Sequence, residues 1–426
     1  GRLGGRHGGR RGAWDAGLPA PEVAQEFLGG SCHEVQWQPD APDDPETLRS
    51  HLDPTSQRPL VLRRFADAVL PGASRWTFDH LSSRCGGILV DGVRLAAEGS
   101  SLFDYGDESK QGAVFTDGAL GGQRDAPMAL ADFVRRVRAA EPTGSRHYLW
   151  SVLYQGSSDG RGGNVVESDV ARALRSDLEP LGWQQLQALA DMGGFGDFKL
   201  AQLFCSGRRA VTACHYDQSQ NLFLQLTGTK RFVLFPPAVG QRALAPFAVA
   251  HPRDRCARLR LHRPDYDAFP CARSAHGAAV EAVLAPGDGL FLPYGWWHHV
   301  ESLALENVSL SLWYRGGVLE QRPPAGVPRP LPDALLLELS REAEFFLSTQ
   351  IGYGPLLQVF LHWFFEPRAI ISASVPPQGR QLLWLRCANF LMLRALCLLL
   401  PAQILPWLQT LHPARFQGAL HEGFPP

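Results

Sequence analysis

Residues 210–235 read AVTACHYDQSQNLFLQLTGTKRFVLF, three short apolar runs separated by polar and glycine-containing joints. In the middle run Leu222, Leu224 and Leu226 alternate with Asn221, Phe223 and Gln225, the two-residue period of a strand with one face packed and the other of mixed character. Similar runs precede and follow it: KLAQLFCS from Lys199, AVEAVL from Ala279, GLFLPYGWWHHV from Gly289 and NVSLSLWY from Asn307. Many short strands punctuated by Gly, Pro and Asp predict a sandwich or barrel.

Working outward, the flanks change character. Leu130, Phe133, Val134 and Val137 recur at helical spacing behind Asp125 and Pro127, which predicts an amphipathic helix over 125–139. Residues 155–164 read as a loop, and 169–190 as helix interrupted at Pro180. Residues 1–54, rich in Gly, Pro, Asp and Arg without a lasting period, read as a flexible leader, with order expected from about Arg58. Residues 331–366 carry two apolar helical patterns, Asp333–Leu347 and Pro355–Phe365, whose Leu335, Leu336, Leu339, Phe346 and Leu347 would meet a second copy of the chain. The Pro- and Leu-rich stretch 367–426 has no assigned role. Its most apolar part, 382–408, is broken by Arg386, Arg394, Pro401 and Pro406 and reads as buried or interface helix, not a membrane span. The expected architecture is mainly β with flanking helices: a double-stranded β-helix, the jelly roll of cupins, over 55–330, followed by a helical dimerisation region.

The whole chain of 426 residues is 45% hydrophobic and 19% charged, enough apolar material for a sizeable core. Forty-one basic against 42 acidic residues exert no general pull on nucleic acid or anionic membrane. The 8 cysteines never form a C-x-x-C pair, and the first dozen residues are Gly- and Arg-rich without an apolar signal segment. Both favour a reducing compartment, cytoplasmic or nuclear.

His215 and Asp217 stand at i and i+2 on an expected strand, so their side chains leave one face. A third donor is available at His298 or its neighbour His299, on a later strand. Two imidazoles and a carboxylate make the facial triad of non-haem Fe(II) oxygenases, with positions left open for a bidentate co-substrate and O2. Lysine occurs at only 110, 199 and 230 in this arginine-favouring chain, so Lys230, 13 residues beyond Asp217, is a compositional surprise. A compact ammonium there suits a single carboxylate, the distal one of 2-oxoglutarate.

The segments HYDQSQNLFLQLTGTKRFVLFPP, HPRDR, RPDYDAFP, PYGWWHHVESL and SLWYRG together resemble the JmjC-type asparaginyl hydroxylases, the family of factor inhibiting hypoxia-inducible factor, over roughly 59–360. The resemblance implies an Fe(II)- and 2-oxoglutarate-dependent oxygenase, dimeric through its C-terminal helices, acting on an extended peptide or an ankyrin-repeat-like protein. Carried over by residue, the iron ligands are His215, Asp217 and His298. The 2-oxoglutarate residues are Tyr148, Thr212, Asn221, Lys230 and Trp313, with Ser311 where the family carries an asparagine. Strand parity alone does not put Thr212 beside His215; that rests on the resemblance or on a bulge. Near the target side chain Arg255 is kept, while Trp150 and Cys256 replace two glutamines, which separates oxygenase chemistry from asparagine specificity. Other readings of the same residues are a non-catalytic cupin, a histone lysine demethylase, and a small-molecule or RNA-base hydroxylase.

Overall fold

The computed structural model describes residues 23–38, 41–96, 100, 102–104, 106, 123–140, 147–156, 165–249, 251–316 and 332–351. Eight strands build the roll: β1 (Phe198–Gly207), β2 (Val211–His215), β3 (Gln220–Thr227), β4 (Lys230–Phe235), β5 (Ala279–Leu284), β6 (Gly289–Leu292), β7 (Trp297–Ser302) and β8 (Glu306–Tyr314). They fall into two facing sheets, ordered β5-β4-β7-β2 and β6-β3-β8-β1, with every pair among them antiparallel. This is the expected jelly roll. The segment GLFLPYGWWHHV forms two strands, because the turn at Pro293–Trp296, with Gly295 at φ +77, breaks it.

Alternation sorts the side chains. Leu222, Leu224 and Leu226 point outward into a core shared with Leu203, Leu310 and Leu312 and with the helical layer of Phe78, Leu81, Phe133 and Leu186. Phe223 turns into the roll and packs with Phe232, Leu234, Leu290 and Val300. The expected 125–139 helix starts later, at Leu130, because Met128–Ala129 pairs with Leu89–Val90; Asp125 forms an ion pair with Arg136 instead of capping. The 169–190 pattern resolves into short helices Asp169–Ala173 and Arg175–Leu178 and a longer one, Trp183–Met192.

The leader reading is corrected from Val23 onward. Strand Leu28–Ser31 adds in parallel to β5, strand Glu34–Gln36 adds in parallel to Leu60–Arg63 in the other sheet, and Pro45–Leu52 is a helix capped by Asp44, which accepts from the Thr47 amide at 2.9 Å. Strands this short carry too few apolar residues to show a period and are ordered by the sheet edges they join. The dimer-face reading also changes: Leu335 and Leu336, on the helix Asp333–Ile351, are buried within one chain. The second expected helix and the 382–408 stretch lie outside the described residues. Among the described residues no helix is long and apolar enough to cross a membrane.

Candidate metal centre

His215 on β2 and His298 on β7 are direct cross-strand partners, with ring centroids 4.1 Å apart. Asp217 lies just past the end of β2, its carbonyl accepting from the Gly295 amide at 3.0 Å. The ligand atoms of these three residues lie within 4.8 Å of one another, and they form the one such group of three among the described residues. His299, offered as an alternative donor, faces the other way, its Nε2 3.3 Å from Glu301 Oε1 on the outer surface of the sheet.

Backbone carbonyls fix the tautomers. His215 Nδ1 lies 2.8 Å from the Ala213 carbonyl and His298 Nδ1 3.0 Å from that of Trp296; a carbonyl only accepts, so each Nδ1 carries the proton. Each imidazole, when neutral, then offers its Nε2 lone pair, and the two Nε2 atoms lie 4.0 and 3.3 Å from Asp217 Oδ2. Two imidazole nitrogens and a carboxylate oxygen converging within 4.8 Å of one another are a ready donor set for a cation. Burial, then the neighbouring His298, pushes His215 down to about 3, so it is neutral near pH 7. Burial works against the charge on Asp217, but the adjacent imidazoles and Arg255 hold its carboxyl below the usual range. The donor set fits Fe(II).

Deeper in the roll sits Lys230, 1% exposed. Its Nζ is 3.2 Å from the Tyr148 hydroxyl and 5.3 to 5.7 Å from the ring centres of Tyr148, Phe204 and Phe223. Among the described residues no carboxylate lies within 4.0 Å of it, and burial pushes it down to about 7. Thr212 hydrogen-bonds Tyr148. It reaches this face because Thr212 pairs with Val300 while His215 pairs with His298: three steps along β2 against two along β7 is a bulge that reverses parity. Asn221 is the cross-strand partner of Trp313, and Ser311 that of Phe223; Asn221 Oδ1, Ser311 Oγ and Trp313 Nε1 are buried without hydrogen bonds. An isolated ammonium ringed by open donors and acceptors fits a small dicarboxylate such as 2-oxoglutarate.

The sequence reading missed the walls of this chamber. Phe204 and Phe223 flank the ammonium, and Ser206 and Ser302 bridge the two sheets at 2.8 Å. Parity carried the signal for Phe223, which shares a face with Asn221. Of the residues expected near a substrate, Trp150 is half-buried, its ring 5.8 Å from Tyr148 and beneath the Arg94 guanidinium at 4.9 Å. Arg255 lies near the triad beside Asp254, at 3.7 Å. Cys256 pairs with His215 through a backbone bridge but has no exposed surface, so a direct substrate contact there is not available in this structure.

An antiparallel roll with two imidazoles and a carboxylate at its mouth defines a cupin-like domain of JmjC type. The chain belongs to the cupin-like domain family, whose profile matches residues 51–318. It is similar to human HSPB1-associated protein 1, 38% identical over 106 residues covering 24% of this chain and 21% of that protein. It is also similar to lysine-specific demethylase JMJ31 of Arabidopsis thaliana, 24% identical over 157 residues covering 37% and 27%, and to lysine-specific demethylase 8 of Xenopus tropicalis, 31% identical over 106 residues covering 24% and 22%. The matched segments span about a fifth to a quarter of these relatives.

Proposed function

We propose that this chain is an Fe(II)- and 2-oxoglutarate-dependent oxygenase that hydroxylates a side chain of an extended peptide or repeat-protein substrate. One observation carries the reading: the converging ligand atoms of His215, Asp217 and His298 open onto the same interior as a buried ammonium with no carboxylate within 4.0 Å among the described residues. Bound together, iron, 2-oxoglutarate and O2 supply the oxidation, in which 2-oxoglutarate leaves as succinate and CO2 and one oxygen atom enters a substrate C–H bond. The protein's share is placement. His215 and His298, held through Nδ1, and Asp217, held through its carbonyl, would present lone pairs on one side of the metal only. Lys230 and the Tyr148 hydroxyl would grip the far carboxylate, with Asn221, Thr212, Ser311 and Trp313 lining the remainder. The rings of Phe204 and Phe223 exclude water behind it.

The deciding experiment incubates Fe(II)-loaded protein with 2-oxoglutarate and a peptide library, following succinate release and substrate mass. Gain of one oxygen atom supports side-chain hydroxylation, loss of a methyl group points to the demethylase reading, and no succinate under any condition overturns the oxygenase. A homodimer through the 333–351 helix is proposed on the resemblance, with Phe345, 53% exposed, as the apolar group still presented. Light scattering that gives a monomer at micromolar concentration overturns the dimer.

A further inference from the structure

The helix Asp333–Ile351 lies beyond the matched domain, which ends at residue 318, yet it reaches Tyr216, the residue between His215 and Asp217. Arg341 is buried; its Nη1 donates to the Tyr216 hydroxyl at 3.0 Å and its Nη2 to Asp254 Oδ2 at 2.7 Å. Tyr216 stands between His215 and Asp217, its ring fully buried against Trp297 at 4.7 Å, and its amide donates to the Arg255 carbonyl at 3.1 Å. Asp254 precedes Arg255 and is itself buried. One guanidinium therefore ties together the two backbone segments that meet at His215: residues 214–217 and residues 254–257, joined also by the Ala257 amide to the Cys214 carbonyl at 2.8 Å. One turn earlier on the helix, Leu337 lies over Gly295, where an added Cβ would come within 3.1 Å of Leu337 Cδ2. Gly295 is the residue whose amide holds the Asp217 carbonyl.

We propose that Arg341 is a positioning residue for the metal centre, setting through Tyr216 and Asp254 the backbone on which His215 and Asp217 are mounted, so that the 333–351 helix is part of the site. The inference rests on reading His215, Asp217 and His298 as metal ligands. Metal affinity depends on ligand placement to within tenths of an ångström, and groups that orient ligands commonly change it ~10–100-fold when removed. A role confined to packing would change fold stability and leave the affinity of the folded protein alone.

The test is an anaerobic Co(II) titration of the full chain, read from the visible d–d absorption, with urea unfolding of the metal-free protein in parallel. Arg341→Met is expected to weaken Co(II) binding by ~10–100-fold and to shift the absorption bands, with Arg341→Lys recovering part of the loss. Because Arg341→Met removes one charge partner of the buried Asp254 carboxylate and risks unfolding, Tyr216→Phe serves as the milder second variant, expected to bind Co(II) ~5-fold more weakly while folding normally. Tyr216→Phe and any folded Arg341 variant binding within about twofold of wild type, with unchanged spectra, would overturn the positioning role alone. Absence of Co(II) binding by the wild type would overturn the metal centre and this inference together.

Discussion

Strands β4 and β7 carry charged and imidazole groups on both faces, and the two faces treat them in opposite ways. On the outer face Arg231 donates to Glu281 at 2.6 Å and to Glu301 at 3.1 Å, and Glu301 also lies 3.3 Å from His299. Each charge there has its counter-charge in the same chain, which is what makes a buried ionic network structural. On the inner face Lys230 has the Tyr148 phenol and the rings of Phe204 and Phe223 for company, and two imidazoles confront a carboxylate. Lys230 and His298 on the inner face and Arg231, His299 and Glu301 on the outer are all 5% exposed or less, so burial does not separate them. What separates them is that Arg231 and Glu301 are paired with each other, whereas Lys230 has no carboxylate within 4.0 Å among the described residues.

The sharpest way to break that contrast is to remove an inner ligand and its outer neighbour in parallel. Asp217→Ala should lose metal by more than the ~100-fold typical of outer-sphere groups and abolish turnover, whereas His299→Ala should leave metal affinity within about twofold. Equal losses in the two variants, measured by Co(II) titration, would show that the faces are not functionally distinct.

Next comes Lys230→Ala, which should raise the 2-oxoglutarate requirement by ~100-fold, since a desolvated carboxylate loses its charge partner, a loss of about 3 kcal/mol. The pH dependence follows from burial. Lys230 is pushed down to about 7 from an ordinary 10.5, so between those values the unfolded chain holds a proton that the ligand-free fold has released. Stability of the ligand-free protein contributed by this group therefore rises with pH across that window. Lys230→Met should flatten the rise in urea titrations. Binding of 2-oxoglutarate at about pH 8 should take up a proton, seen as a buffer-dependent heat in calorimetry.

On the outer face the expected effect is on folding alone. Glu301→Gln breaks a buried pair and should cost about 3 kcal/mol by urea unfolding, with metal affinity unchanged. Burial raises the Glu301 carboxyl but His299 and Arg231 outweigh it and hold it below the usual range. Its stabilising contribution is thus present at neutral pH and is lost as pH falls from the ordinary glutamate range through the lowered value. A variant that folds as well as wild type would mean the outer charges are not mutually stabilising.

Short apolar runs between turn residues made seven strand segments legible, with GLFLPYGWWHHV read as one where the fold has two, and with them the neighbourhood of His215, Asp217 and Lys230. Long-range pairing hid the rest. Whether His298 or His299 faces inward depends on the register of β7 against β2, which period alone does not fix, and the bulge that brings Thr212 to the inner face appears only once that register is known. Val35 is the single buried residue of its strand, too little for a pattern, although Asp44 followed by Pro45 was a usable helix-start signal. The Arg341–Tyr216 contact joins residues 125 apart and leaves no local trace.

The smallest expected effect concerns the substrate side of the inner face. Trp150 is half-buried between Tyr148 and Arg94 and offers a single indole N–H, so a target carboxamide beside it would leave polar atoms unpaired at ~1–3 kcal/mol each. Trp150→Gln supplies an amide in a smaller side chain and should raise turnover of an asparagine peptide, relative to one with an aliphatic side chain, by ~3–10-fold. The matching change at Cys256 is a poor partner for this test, because that residue is fully enclosed and a glutamine would overpack the backbone beside His215. Competition between the two peptides in one reaction, read by mass, gives the ratio directly and cancels differences in metal loading. If the wild type already favours asparagine, or the ratio stays fixed in Trp150→Gln, this indole does not set the target, and residues at the mouth other than Trp150 must do so.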